Sequence, residues 1–176
     1  KFDGNASLIE VAHSSSLTFS SGLTISLWAS RSAFATRNTI WSHLISKGAN
    51  ITYGFDLATN GQNNNSMYLH YIDGNYSNSN RCSSEYYNMD EWINFVYIND
   101  LNSQKVYVNG VLISDCPIEN KSTTLAGADK GPMYIGEGRG HFGSEQGFIG
   151  SIDDIYIYNK ALSVEEVNST YNENRC

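Results

Sequence analysis

Gly147–Tyr171 reads GFIGSIDDIYIYNKALSVEEVNSTY, and this stretch decides the architecture. From Ser151 the residues alternate, with Ile155 and Ile157 on one face and Tyr156 and Tyr158 on the other. A period of two is the mark of a strand with one face in a core. Asn159 and Lys160 break the alternation. Ser163 and Glu166 then form S-x-x-E, the capping box of a helix start, with Leu162 and Val167 at the positions of a hydrophobic staple. The stretch predicts a final core strand that runs into one short helical turn.

Alternation recurs throughout the chain. Leu8–Val11 is a short strand after the Phe2-Asp3-Gly4 turn. Leu23, Ile25, Leu27 and Ala29 point one way, and Thr24, Ser26 and Trp28 the other. Trp28 reads as a structural aromatic, covered by a loop or a neighbouring strand. Ile40 to Lys47, Tyr53 to Leu57, Met67 to Ile72, Trp92 to Ile98 and Met133 to Gly136 are further strands. Asn60 to Asn65 is a hairpin loop of residues that tolerate positive φ. Asn75 to Asn80 reads as a polar loop, and Cys82 as the start of a strand ending near Asn88. Asn109-Gly110, between Lys105–Val108 and Val111–Ile113, is the residue pair of a type I′ hairpin. Short strands at even spacing with almost no helix give an all-β chain: a two-sheet antiparallel jelly-roll β-sandwich with one short C-terminal helix.

Composition narrows the setting. The chain has 176 residues, 40% hydrophobic and 16% charged, with a net charge of −7. Its 11 Lys and Arg residues are scattered, which argues against nucleic acid and against anionic membrane. No apolar run approaches the ~18–20 residues of a membrane-spanning helix. The start at Lys1 looks like the middle of a strand, so residues 1–176 read as a single domain excised from a larger protein. Cys82, Cys116 and Cys176 lack metal-ligand spacing. The segments carrying Cys82 and Cys116 are expected to meet at one edge and form a disulfide. Cys176 is then left to an outside partner or free. Such a bond, with low charge and many Tyr and Ser, favours an extracellular or cell-surface location. Asn5, Asn50, Asn64, Asn75, Asn120 and Asn168 head N-x-S/T sequons and are candidate glycosylation acceptors.

The run FIGSIDDIYIYNKALSVEEV resembles the C-terminal signature of LamG-like jelly-roll domains of the concanavalin A-like lectin/glucanase superfamily. F-D-G at 2–4, I-E-V at 9–11, T-I-S-L-W at 24–28 and V-Y-V-N-G at 106–110 are similar to the same family. Pentraxins share the ending more loosely. The resemblance implies the sandwich already read from the strands, and a choice among lectin, adhesion module and glucanase.

The glucanases of that superfamily carry E-x-D-x-x-E on one strand, which alternation aims into one cleft. The pattern is missing here: Glu85, Asp90 and Glu91 are mis-spaced, and Asp153 and Asp154 fall on opposite faces. His13, His43, His70 and His141 have no Ser or Cys partner in a recognisable context. The chain therefore reads as non-catalytic. Pentraxins and many laminin G domains bind calcium, which takes oxygen ligands from loops. The likeness places Glu137 and Gln146 at two pentraxin ligand positions and Asn50 near a third. Arg139 stands where a ligand Asp is expected and Ala49 replaces another, so the plainer reading is polar loop residues without a metal. Asp3, Asp153 and Asp154 are a second metal group, with turn hydrogen bonding as the plainer alternative. The pentraxin disulfide is not available, its positions being Ser26 and Val96. Lectins of the superfamily stack aromatic rings on sugars. Here the 12 Tyr include Tyr68, Tyr76, Tyr86 and Tyr87, which with His70, Arg139 and His141 make the candidate carbohydrate-binding set. Each Tyr taken singly fits cross-strand packing as well. Tyr68 and His70 are expected to face out of the core. The resulting expectation is a recognition domain for a glycan or surface glycoprotein; the alternative is a protein-binding adhesion or structural module.

Overall fold

Leu23–Arg31 (β3) is buried on both faces over most of its length, and the fold is arranged around it. The computed structural model describes residues 1–4, 7–19, 21–33, 41–47, 53–60, 67–73, 75–84, 88, 90–118, 131–137 and 147–173. Before β3 come β1 (Phe2–Asp3) and β2 (Ile9–Val11). After it come β4 (Trp41–Lys47), β5 (Tyr53–Asn60), β6 (Met67–Asp73) and β7 (Asn75–Ser84). They are followed by β8 (Ile93–Asn99), β9 (Ser103–Val108), β10 (Val111–Pro117), β11 (Met133–Ile135), β12 (Ile149–Tyr158) and helix α1 (Val164–Glu173). The strands form two six-stranded sheets, β1-β12-β3-β8-β9-β10 and β2-β11-β4-β5-β6-β7. Among the described residues these strands all pair antiparallel. This is the expected two-sheet jelly-roll sandwich.

The inward sets meet in one core. Leu23, Ile25, Leu27, Ala29, Phe95 and Tyr97 from the first sheet join Leu44, Ile45, Phe55, Leu57 and Met67 from the second. Each large apolar side chain buried in this way contributes about 1.5–3 kcal/mol. The far face of the first sheet is also covered. Val96, Ile98 and Tyr107 pack with Leu162 and Val167 in a second cluster beneath α1.

The helix start follows the capping box. Ser163 Oγ accepts from Glu166 N at 3.3 Å, and Glu166 Oε2 accepts from Ser163 N at 2.8 Å. The staple pair Leu162 and Val167 is buried in the same cluster. The helix runs ten residues, about three turns, rather than the single turn expected. The added length has a seat on β8 and β9. Thr24 ties the approach to the helix: its hydroxyl donates to Lys160 O at 2.8 Å and accepts from Leu162 N at 3.1 Å. Among the described residues it is the helix, rather than a loop or strand, that provides a ring for Trp28. Tyr171 of α1 stacks on it, with ring centroids 5.9 Å apart.

Three other expectations change. Asn75–Asn80 is not a loop but the first part of β7, paired to β6 by Tyr71↔Asn80 and Asp73↔Asn75. Cys82 therefore lies inside a strand, which ends at Ser84. The alternation from Ser151 is interrupted by a bulge between Asp153 and Tyr156, with Asp154 at φ 48°. The extra residue lets Ile152, Ile155 and Ile157 all pack on the core. The Asn109-Gly110 turn is as expected, with φ of 50° and 79°. Ser26 and Val96, where the pentraxin bond would lie, are register partners on β3 and β8.

The two sheets are tied along one flank. Cys82 of β7 and Cys116 of β10 form the expected disulfide, with Cα atoms 5.7 Å apart. Both strands end their sheets, and the Ser114 hydroxyl adds a hydrogen bond to Ser83 O. On the opposite flank Phe2 of β1 enters the core. The β8–β9 turn is held by Asp100, which accepts from Asn102 N and Ser103 N and pairs with Lys105 at 2.7 Å. Burial would raise the Asp100 carboxyl, but the Lys105 and backbone hydrogen bonds hold it below its usual value.

Two outcomes follow. The Cys82–Cys116 separation is 34 residues, so replacing both cysteines by Ser is expected to cost about 3–4 kcal/mol in urea unfolding; an unchanged midpoint would refute the staple. A carboxyl depressed in the folded state stabilises above its unfolded pKa, and the gain is lost as pH falls through the folded pKa. The stability difference between wild type and Asp100→Asn should therefore shrink on acidification below the usual carboxylate range. Parallel curves from neutral to strongly acidic pH would overturn this.

Candidate functional site

With α1 seated on the first sheet, the second sheet offers the other broad face. Its inward positions are set by Ile45, Leu57 and Cys82, all buried in the core. In register, Ile45 pairs with Leu57, Leu57 with Leu69, and Leu69 with Cys82. The next positions along each strand belong to the opposite face. There Glu10 pairs with Tyr134, Tyr134 with Ser46, Ser46 with Asp56, Asp56 with His70, and His70 with Arg81. This polar row crosses β2, β11, β4, β5, β6 and β7 in turn. A second row on the same face pairs His43 with Ala58, Ala58 with Tyr68, and Tyr68 with Ser83.

Exposure falls along the first row. Glu10 is exposed, Tyr134 is half-buried, and Ser46 and Asp56 are buried. A carboxylate is costly to bury without polar neighbours, and Asp56 sits between Ser46 and His70 in register. A bulge between His43 and Ile45 brings both Leu44 and Ile45 into the core. Leu44 O accepts from Gly136 N at 2.8 Å, and the chain after β11 then passes over Ser46. The Ser46 hydroxyl donates to Glu137 O at 3.0 Å.

Gly136 fixes that passage. Its φ is 86°, and a Cβ there would lie 2.1 Å from the Phe2 ring. Phe148 N donates to its carbonyl at 2.9 Å. One residue thus sets β11, the Phe2 anchor and the approach to β12 together. Gly136→Ala is expected to cost about 2–3 kcal/mol, from positive φ and displacement of Phe2. Thermal unfolding measures it, and a loss below half of that would show that the ring moves aside freely.

The structure sorts the candidate residues. Tyr68 and His70 lie on β6, in register with Ala58 and Asp56, and Tyr76 lies near the start of β7. Glu137 is buried just after β11. Tyr86, Tyr87, Arg139, His141, Asn50 and Gln146 lie outside the described residues, as do the sequon residues Asn5, Asn64 and Asn120. Asn75 opens β7, and Asn168 is exposed on α1. Glu137 is thus the one member of the calcium set described. Asp3 Oδ1 accepts from Ser7 N at 3.2 Å and Asp153 Oδ1 from Asp154 N at 2.9 Å, which is local turn and bulge bonding. Among the described residues no group of three or more His, Cys, Asp or Glu is arranged to hold a metal ion. Asp56, Arg81, Ser46, Tyr134 and Glu10 were not in the expected set. Alternation within β5 and β6 marks which residues share a face, but the neighbours across strands come from register alone.

The profile described as the concanavalin A-like lectin/glucanases superfamily, of laminin G type, matches residues 3–168, and the chain belongs to that family. No curated protein matches by sequence. Among solved structures, domain 4 of an extracellular arabinanase from Geobacillus stearothermophilus, in complex with arabinotriose, is similar with a TM-score of 0.72 at 18% identity. The match covers 96% of this chain and 74% of that one. Botulinum neurotoxin type C, whose cell entry depends on interaction with two ganglioside molecules, matches with TM-score 0.67 and 17% identity, over 90% of this chain and 37% of the toxin chain. A SAP-like pentraxin from Limulus polyphemus matches with TM-score 0.66 and 16% identity, over 95% and 82%. At these identities the likeness is one of fold.

Proposed function

We propose that the chain is a non-catalytic carbohydrate-recognition domain of a larger secreted or surface protein, reading its ligand on the outer face of the second sheet. The observation that carries this reading is the polar row Glu10–Tyr134–Ser46–Asp56–His70–Arg81, one residue from each of six neighbouring strands, in which the buried Ser46 and Asp56 underlie the row and its other members are offered to the ligand. A sugar presents several hydroxyls, each both donor and acceptor. Carboxylate, hydroxyl, imidazole and guanidinium groups are the types that bond them with definite polarity. Tyr68, one register pair away, adds a ring type suited to the apolar face of a sugar. Membership of a lectin and glucanase family supports the class, as do neighbours seen with arabinotriose or dependent on gangliosides. The disulfide supports an oxidising compartment, and no helix among the described residues is long and apolar enough to cross a membrane.

Calcium at Asn50, Glu137 and Gln146 is the accompanying metal proposal. Glu137 fits it in part, as a carboxylate beside the polar row whose main-chain oxygen is held by Ser46. The rival is a protein-binding adhesion module, since one toxin binding domain of this fold is seen with rat synaptotagmin II.

A glycan array run with and without chelator separates these readings. Binding to one glycan class is expected. Arg81→Ala should weaken it about tenfold or more, the loss of one hydrogen bond to a charged group, and His70→Ala should weaken it by about two- to tenfold, both with unchanged thermal unfolding. Silence across the array would favour a protein partner, and binding indifferent to chelator would remove calcium. Turnover of an arrayed polysaccharide would replace the non-catalytic reading with an enzymatic one.

A further inference from the structure

The outer face of the first sheet carries a second feature unrelated to the polar row. β12 is bordered by β1 at Gly150 and Ile149 alone. Among the described residues no strand pairs with Ser151–Tyr158 on that margin. Tyr156 and Tyr158 stand on this length with near-parallel rings, centroids 6.4 Å apart and planes 24° apart. Tyr158 is partly buried against the cluster beneath α1, whereas Tyr156 is 39% exposed. Two residues earlier the bulge presents Asp153 and Asp154, both exposed. Asp153 is the register partner of Trp28, and Trp28 of Asn94. Asn94 is 1% exposed and gives its amide nitrogen to Leu27 O, while its Oδ1 has no protein partner. The free acceptor thus lies on the same face as the two carboxylates.

The charges on this face are unbalanced. Lys160 is held by Glu166, and Lys105 by Asp100. Lys1 precedes the Phe2–Gly150 pair, at the end of β12 away from Tyr158. Asp115 faces Lys105 in register on the far edge of the sheet, which leaves Asp153 and Asp154 on β12 and Glu165 and Glu173 on the helix above it with no cation beside them among the described residues apart from these lysines. Edge strands are often blunted by charges and bulges, and that accounts for Asp153 and Asp154 but not for the near-parallel rings beside them, one of which is exposed. Rings attract a cation over their faces, and carboxylates attract it at longer range.

We infer that Tyr156, Tyr158, Asp153 and Asp154 form a docking surface for a basic segment of a partner protein, an extended stretch bearing Arg or Lys. The bulge prevents the segment from simply adding a strand along Asp153–Tyr156, so recognition rests on side chains. The surface lies on the sheet opposite the proposed sugar face, and both can be engaged at once.

The test is titration of the whole chain with an oligoarginine peptide and an oligoserine peptide of equal length, followed by NMR shifts. The arginine peptide should bind, weaken with salt, and shift Tyr156 and Tyr158; oligoserine should do neither. Tyr156→Leu, which keeps bulk but removes the ring, should weaken binding about two- to fivefold. Asp153→Asn with Asp154→Asn should weaken it further and flatten the salt dependence. His70→Ala should leave it unchanged, which separates this surface from the sugar reading. Peptide binding indifferent to all of these β12 variants would overturn the proposal as diffuse attraction to an acidic protein. So would shifts at Tyr156 and Tyr158 with a neutral oligosaccharide and none with the peptide.

Discussion

Two sheets in a sandwich are held at one spacing by what lies between them. Here that layer joins Ile25, Leu27, Phe95 and Tyr97 to Ile45, Phe55 and Leu57. Because interiors pack as densely as crystals, neither sheet can slide without opening a void. Every inward residue therefore commits its strand neighbours to the opposite face. The polar row across the second sheet and the apolar seat of α1 on the first are both consequences of this commitment. One outer face seats a helix, and the other carries the polar row.

The departures from regular pairing serve that division. The bulge after His43 places Leu44 and Ile45 together in the core and so shifts the rest of β4 into line with Asp56. The bulge at Asp153 keeps three isoleucines on the inside while turning two carboxylates outward. Gly136 permits a ring of β1 to lie where a side chain would otherwise stand. Each device spends one residue of regular pairing and gains a placement that strict alternation cannot supply.

How far these features could be read from the chain depends on their range. The capping box of α1 is written in four consecutive residues, and its two hydrogen bonds are present as spelled. The helix length is not written there, because it depends on the apolar seat at Val96, Ile98 and Tyr107, some sixty residues earlier in the chain. β7 is not legible in Asn75–Asn80, which is rich in Asn and Ser, poor strand formers in isolation. Its pairing with β6 and the bond at Cys82 override that preference. The period of β6 groups Tyr68 with His70, and both lie on that strand. Asp56 and Arg81 could not be placed beside them, since no local pattern states which residues meet across strands.

The bond between Cys82 and Cys116 has a mechanical side. It encloses β8, β9 and most of β10, together with the turn held by Asp100. If tension reached the chain through its two ends, the covalent bridge would carry the load past those strands. Unravelling could then lengthen the chain only by the portions outside the loop. The central strands would stay folded back on themselves even after the outer ones had been pulled straight.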